Sequence, residues 1–110
     1  MGSRGEDLAV IYLKREGYEI LARNYRLRSG EIDIIAKEGG EIVFCEVKTR
    51  KDAGCGDPTE AVDIAKIAKI QKMAAVYLYT QGYEEDTSCR IDVVGICGSE
   101  ITHLKNVTGF

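Results

Sequence analysis

The sequence predicts an α/β fold, a mixed β-sheet flanked by helices in the order αβββαββ. A glycine pair, Gly39-Gly40, separates two runs rich in β-branched residues, which is a strong signal for a tight hairpin. A long helical pattern over residues 57–80 then precedes another β-branched run at residues 90–96. Parallel strands need such a crossover connection, so the strand at 90–96 is expected to run parallel to its neighbour.

The N-terminal segment predicts a helix and then a strand. Ser3 and Glu6 have the spacing of a capping box, in which each side chain satisfies a free backbone N–H at the helix start. Gly17 is expected to end this helix in a left-handed conformation. The following strand, residues 18–27, would place Leu21 and Ala22 on opposite faces of the sheet because side chains alternate along a strand.

The glycine hairpin fixes a register that opposes two carboxylates. Counting back from the turn at residues 39–40, Asp33 faces Glu46 and Glu31 faces Lys48. Directly opposed residues have Cβ atoms roughly 5 Å apart, and all four side chains project to one face. The other face of the hairpin is expected to be wholly apolar, with Ile32, Ile34, Ala36, Val43, Cys45 and Val47.

The second helix is expected to begin with Asp57 as N-cap and Pro58 at the first helical position, and to run to about Thr80. Small residues such as Ala65 and Ala68 would allow it to pack closely on the sheet. The strand at 90–96 follows, and a short last strand is expected at residues 101–104.

Asp92 interrupts the apolar pattern of the strand at 90–96. Pairing with Arg90 or Arg50 is the favoured interpretation. The alternative is that Asp92 supports the carboxylate site from behind.

The opposed carboxylates predict a metal site. Asp33 and Glu46 supply the hard oxygen ligands that Mg²⁺ or Mn²⁺ prefers, and Lys48 lies two residues beyond Glu46 on the same face. A metal that polarises a phosphate, with a lysine that orients water or stabilises developing charge, suits phosphodiester hydrolysis. The alternative is a solvated strand face with one Glu31–Lys48 ion pair.

These motifs resemble a known superfamily. GEIDIIA at 30–36 followed by FCEVKTR at 44–50 is similar to the D…(D/E)xK signature of restriction-endonuclease-like nucleases. Nearly the whole chain resembles the uncharacterised bacterial YraN proteins, which are similar to Holliday-junction resolvases. The likeness extends to Gly5-Glu6, Gly17-Tyr18, Asn24-Tyr25-Arg26, Ala61-Val62, Lys66 and residues 90–94. The resemblance implies a restriction-endonuclease-like fold and a metal site.

The resemblance also suggests catalytic residues beyond Asp33, Glu46 and Lys48. Glu6 would be an additional carboxylate from the first helix, besides its capping role. Glu31 would be a ligand through water or the partner of Lys48. The candidate nucleic-acid-binding residues are Arg26, Thr49, Arg50, Lys51 and Lys66, with solvated surface charges as the alternative.

Composition limits the possible partners. The 110 residues predict one domain, 1–110, with a net charge of −3 and a pI near 5.2. A general nucleic-acid binder usually carries a basic excess, so a small footprint or help from a protein partner is expected. No apolar run approaches the roughly 20 residues that span a bilayer, and the start of the chain lacks the apolar core of a signal peptide. The expected location is cytoplasmic, with no membrane partner.

The cysteines and the histidine carry no zinc-type spacing. The four cysteines are expected to be free thiols, with a Cys89–Cys97 or Cys45–Cys97 bridge as alternatives. The single histidine, His103, is expected to be an ordinary strand or surface residue.

The main functional hypothesis is a metal-dependent endonuclease that hydrolyses phosphodiester bonds in DNA with Mg²⁺ or Mn²⁺, with branched or structured DNA among the candidate substrates. Cutting a junction symmetrically would require a homodimer. The alternative is a non-catalytic nucleic-acid- or protein-binding module that retains the nuclease fold.

Overall fold

The computed structural model describes residues 4–50 and 56–108. The five strands form one sheet in the order β1-β2-β3-β4-β5, with β3 and β4 parallel and the other neighbours antiparallel. This confirms the predicted α/β fold, the order αβββαββ and the parallel crossover. The elements are α1 (Arg4–Arg15), β1 (Glu19–Leu27), β2 (Gly30–Glu38), β3 (Glu41–Arg50), a short 3₁₀ helix (Pro58–Ala61), α2 (Ile64–Thr80), β4 (Cys89–Cys97) and β5 (Glu100–Leu104).

The two helices cover opposite faces of the sheet. Adjacent residues of β2 divide between two buried clusters, because side chains alternate along a strand: Ile34 packs with α1 and Ile35 packs with α2. The α1 cluster contains Ala9, Val10, Leu13, Tyr18, Ile34, Ala36, Val43, Cys45, Val94 and Ile96. The α2 cluster contains Ile32, Ile35, Ile42, Phe44, Ala61, Ile67, Ile70, Met73, Ala74, Tyr77, Ile91 and Val93.

The glycine hairpin forms as predicted. Gly39 and Gly40 have φ values of 59° and 84°, and Glu38 pairs directly with Glu41. Two consecutive positive φ values are what the favoured hairpin turns require, because their twist matches that of the flanking strands. The predicted register of β2 against β3 is therefore correct from the turn to the Ile34–Cys45 pair.

The predicted alternation along β1 was wrong. The β1–β2 register shifts between Ile20 and Ala22, and both Leu21 and Ala22 pack against the α2 cluster. An extra residue in one strand of an antiparallel pair produces this shift. Asn24 then adopts a φ of 52°, a left-handed conformation that asparagine tolerates better than most residues.

Ile32 was also assigned to the wrong face. It packs in the α2 cluster with its β1 partner Tyr25, whereas Ile34 packs with α1. The apolar face of the hairpin is therefore interrupted beside Asn24.

The predicted start of the second helix was wrong as well. Residues 58–61 form a separate 3₁₀ turn, and α2 begins at Ile64 with Asp63 as its N-cap. Asp57 and Asp63 are both competent N-cap residues, and the second one caps the long helix. Ala65 and Ala68 are exposed, so the prediction that they pack on the sheet was wrong; the buried face of α2 carries larger side chains such as Ile67 and Ile70. The predicted start of the first helix at Ser3 lies outside the described residues.

The cysteines are not all free. Cys97 is disulfide-bonded, while Cys45 and Cys89 are free thiols, so both bridges considered from the sequence were wrong. Cys89 and Cys97 stand at opposite ends of β4, and an extended strand of that length separates them by roughly 26 Å. Within the described part of the chain, no helix is both long and apolar enough to cross a membrane.

Candidate metal and nucleic-acid site

The backbone pairing between β2 and β3 ends where the two carboxylates begin. The backbone pair farthest from the hairpin turn is Ile34–Cys45. Beyond it, the β3 backbone bonds to the side chain of Asp33. Asp33 Oδ2 accepts the backbone N–H of Val47 at 2.8 Å. One oxygen of Asp33 therefore satisfies the β3 backbone, and this bond fixes the carboxylate against the strand that carries Glu46.

The structure brings Asp33 and Glu46 together in a largely buried position. The Asp33 residue is 8% exposed and the Glu46 side chain 14% exposed. Burial, a hydrogen bond with Asp33 and the negative charge of Asp33 raise the pKa of Glu46 to about 7, against the opposing influence of Lys66. The pair therefore resists carrying two negative charges at neutral pH.

One oxygen of Glu46 lacks any hydrogen bond. Glu46 Oε1 is buried without a partner, within the part of the chain that the structure describes. A buried, unpartnered carboxylate oxygen is costly and is a reason to look for a ligand. Two carboxylates are a typical protein contribution to a Mg²⁺ site, where water supplies the remaining ligands. Asp33 and Glu46 therefore fit Mg²⁺ or Mn²⁺.

Lys66 reaches this pair from α2. Its Nζ lies 3.6 Å from Glu46 Oε2, and its side chain is 36% exposed. The N-cap Asp63 helps to place it, because Asp63 Oδ1 accepts the backbone N–H of Lys66 at 3.2 Å. The structure thus groups Asp33, Glu46 and Lys66.

The other two candidate carboxylates have different partners. Glu6 Oε1 accepts a hydrogen bond from Asn24 Nδ2 at 2.8 Å. Glu31 forms an ion pair with Arg26, its cross-strand partner on β1. Across residues 4–50 and 56–108, no group of three or more His, Cys, Asp or Glu side chains could hold a metal ion.

The remaining candidate residues lie toward the end of β3. Lys48 and Thr49 are exposed, and Arg50 is partly buried. Thr49 stands against the start of α1, where a Cβ added to Gly5 would collide with Thr49 Oγ1. Lys51 lies outside the described residues.

A second buried polar cluster joins β4 and β5 to α1. Asp92 is fully buried and accepts hydrogen bonds from Arg90 Nε at 3.0 Å and the Asn106 N–H at 2.9 Å. His103 Nε2 lies 2.7 Å from Asp92, and His103 Nδ1 lies 3.0 Å from the Tyr12 hydroxyl. The predicted Asp92–Arg90 pairing is therefore confirmed.

His103 lies on β5, as the strand alternative predicted, but it is not a surface residue because its side chain is only 5% exposed. Burial opposes ionisation of Asp92, but hydrogen bonds from His103, Arg90 and Asn106 lower the pKa of Asp92 overall. The sequence singled out Asp92 because it interrupts an apolar run. The sequence offered no signal for His103, because its partners Asp92 and Tyr12 lie far apart along the chain.

Comparison with known proteins supplies a family. A model described as "Uncharacterised protein family UPF0102" matches residues 5–96, a range that includes every candidate site residue. A UPF0102 protein of Persephonella marina is 45% identical over 105 residues, covering 96% of this chain and 90% of the relative. A UPF0102 protein of Lachnoclostridium phytofermentans is 48% identical over 105 residues, with 96% and 89% coverage. A UPF0102 protein of Geobacter metallireducens is 46% identical over 110 residues, again with 96% and 89% coverage.

Proposed function

Since this chain belongs to the uncharacterised protein family UPF0102, we propose its function from the chemistry of its site: a metal-dependent endonuclease that hydrolyses phosphodiester bonds in DNA. The observation that carries the proposal is the buried Asp33–Glu46 pair. Within the described residues, Glu46 Oε1 is buried without a hydrogen-bond partner. Such an oxygen can be satisfied by a bound water or by a cation, and the neighbouring Asp33 carboxylate favours the cation.

Asp33 and Glu46 would hold Mg²⁺ or Mn²⁺, and the cation would supply Lewis-acid activation of the phosphodiester and of the attacking water. Asp33 is positioned for this role because the Val47 N–H holds its other oxygen. The raised pKa of Glu46, about 7, means that proton and cation compete for this carboxylate near neutral pH.

The cationic residues would bind and orient the substrate. Lys48 is exposed and lies two residues beyond Glu46 on β3, where its ammonium can orient water or stabilise charge on the phosphate. Thr49, Arg50 and Lys66 would contact neighbouring phosphates. The resemblance to resolvases favours branched or structured DNA and a homodimer that makes paired cuts. Activity on chromosomal DNA would place the protein in the cytoplasm.

The test compares wild type with an Asp33→Asn/Glu46→Gln double variant. Each protein is mixed with labelled linear, flapped and four-way-junction DNA in Mg²⁺ or Mn²⁺. We expect cleavage by wild type and a loss of about 100-fold or more in the variant, as for removal of other groups that stabilise the transition state. A Glu85→Gln/Asp86→Asn variant is the matched control, because it removes the same charges from exposed positions.

A non-catalytic binding module is the second candidate. The net charge of −3 favours it, since a nuclease usually presents more positive charge to DNA. Absence of cleavage on every substrate, together with equal or greater stability of the double variant in the presence of metal, would replace the nuclease proposal with this one.

A further inference from the structure

We propose that Lys66 is an internal counter-ion of the carboxylate pair, and that a divalent cation displaces it toward a DNA phosphate. In the metal-free protein its ammonium neutralises Glu46, so it is not available to DNA. This inference rests on the proposed function and adds a coupling between metal binding and DNA binding through one side chain.

The geometry places Lys66 between the site and solvent. Its Nζ is 3.6 Å from Glu46 Oε2, while 36% of its side chain remains exposed. The Glu46 side chain is 14% exposed, so Lys66 is the more solvent-exposed partner of this ion pair. A lysine has a flexible stem, and its ammonium can move from a carboxylate to a nearby phosphate without movement of the helix.

The position of Lys66 in α2 is not explained by helix stability. Lys66 is the third residue of α2, and the first turn contains no acidic residue. Positive charge is unfavourable at this end of a helix because of the helix dipole. The capping hydrogen bond to Asp63 uses the backbone N–H of Lys66 and leaves the ammonium free for Glu46.

Charge balance explains why a cation would release Lys66. Two carboxylates can be neutralised by one divalent cation, which makes a further ammonium beside Glu46 unnecessary. The cation and the ammonium would also repel each other across a few ångströms. A DNA phosphate near the site then becomes the better partner for Lys66.

The test is a double-mutant cycle of DNA affinity in EDTA, where no metal and no cleavage interfere. Glu46→Gln is made in wild type and in Lys66→Met, and binding of a short DNA duplex is followed by fluorescence anisotropy. We expect Glu46→Gln to tighten binding about fivefold or more when Lys66 is present, and to change it little in Lys66→Met. Lys72→Met is the control background, because Lys72 is exposed on the same helix, six residues after Lys66.

The inference would be overturned if Glu46→Gln tightened DNA binding equally in the Lys66→Met and Lys72→Met backgrounds. If no variant binds DNA, the proposed function fails, and Mn²⁺ affinity decides the role of Lys66. At a pH of about 9, well above the ordinary range of a carboxyl pKa, Lys66→Met should bind Mn²⁺ several-fold more tightly than Lys72→Met. Equal Mn²⁺ affinities would contradict the counter-ion role. Thermal unfolding of each variant verifies that it is folded.

Discussion

Two buried carboxylates in this protein have opposite surroundings. Asp92 is completely buried, and its oxygens are satisfied by Arg90, His103 and the Asn106 backbone. Within the described residues, Glu46 keeps one buried oxygen without a hydrogen-bond partner. A fully satisfied polar cluster fixes a structure, whereas an incompletely satisfied one marks a place where a ligand can bind. The contrast indicates a structural role for Asp92, and the unpartnered oxygen of Glu46 supports the proposed metal site.

Stability of the metal-free protein is expected to fall as the pH rises from about 5 to about 8. The pKa of Glu46 is raised from 4.5 to about 7 by burial and by Asp33. Between these values the folded state binds a proton that the unfolded state has lost, so the stabilisation is full below the unfolded pKa and lost above the folded pKa. Because Glu46 is largely buried, the loss is expected to be of the order of a few kcal/mol. Urea unfolding in EDTA at several pH values measures it.

Two variants test whether Glu46 causes this pH dependence of stability. Glu46→Gln should lose less stability than wild type over the same pH range, whereas Glu85→Gln, at an exposed position, should follow wild type. Saturating Mg²⁺ should reverse the loss in wild type, because a ligand that binds only the folded state stabilises it. If the free energy of unfolding changed with pH in the same way in wild type and Glu46→Gln, Glu46 would not be the group responsible.

At the scale of elements, the start of α1 packs closely against the end of β3. A Cβ at Gly5 would collide with Thr49 Oγ1, so the close approach depends on a residue without a side chain. Gly5→Ala should therefore destabilise the fold by about 1–2 kcal/mol, despite the higher helix propensity of alanine. Urea unfolding gives the free energy of unfolding of each variant.

Thr49→Ala provides the control for this contact. With Oγ1 removed, Gly5→Ala should become close to neutral, since the added methyl group then has room. If Gly5→Ala lowered the free energy of unfolding equally in wild type and in Thr49→Ala, the contact with Thr49 would not be the reason that position 5 requires glycine.

The sequence predicted the elements whose signals are local. Gly39-Gly40 determined the β2–β3 turn, and counting back from it led to the Asp33–Glu46 pair, just beyond the last observed backbone pair, Ile34–Cys45. The start of α2 was ambiguous because Asp57 and Asp63 can both cap a helix.

Other features depend on contacts that lie far apart in the sequence. The β1 bulge could not be predicted because Leu21 and Ala22 are both apolar. A register shift of one residue between them leaves the alternation of apolar and polar residues equally acceptable. The contact of His103 with Asp92 and Tyr12 requires β5 and α1 to be in place before it can be recognised.

At the scale of the whole molecule, positive charge near the site is sparse. The net charge is −3, and Arg26 is already paired with Glu31. Among the described candidates, the cationic residues proposed to contact phosphates are Lys48 and Arg50, with Lys66 added once it leaves Glu46. Nucleic-acid affinity in such a protein must depend on a few contacts close to the site and not on a broad basic surface.

The salt dependence of DNA binding tests this view. Each phosphate neutralised contributes about −0.9 to the slope of log affinity against log salt concentration, so a slope of about −2 to −3 is expected for wild type in EDTA. Glu46→Gln should steepen the slope by about one, because Lys66 is then released to a phosphate. Fluorescence anisotropy over a salt series measures both slopes. A wild-type slope steeper than about −6 would require an extensive basic surface, which the charge distribution of this chain does not provide.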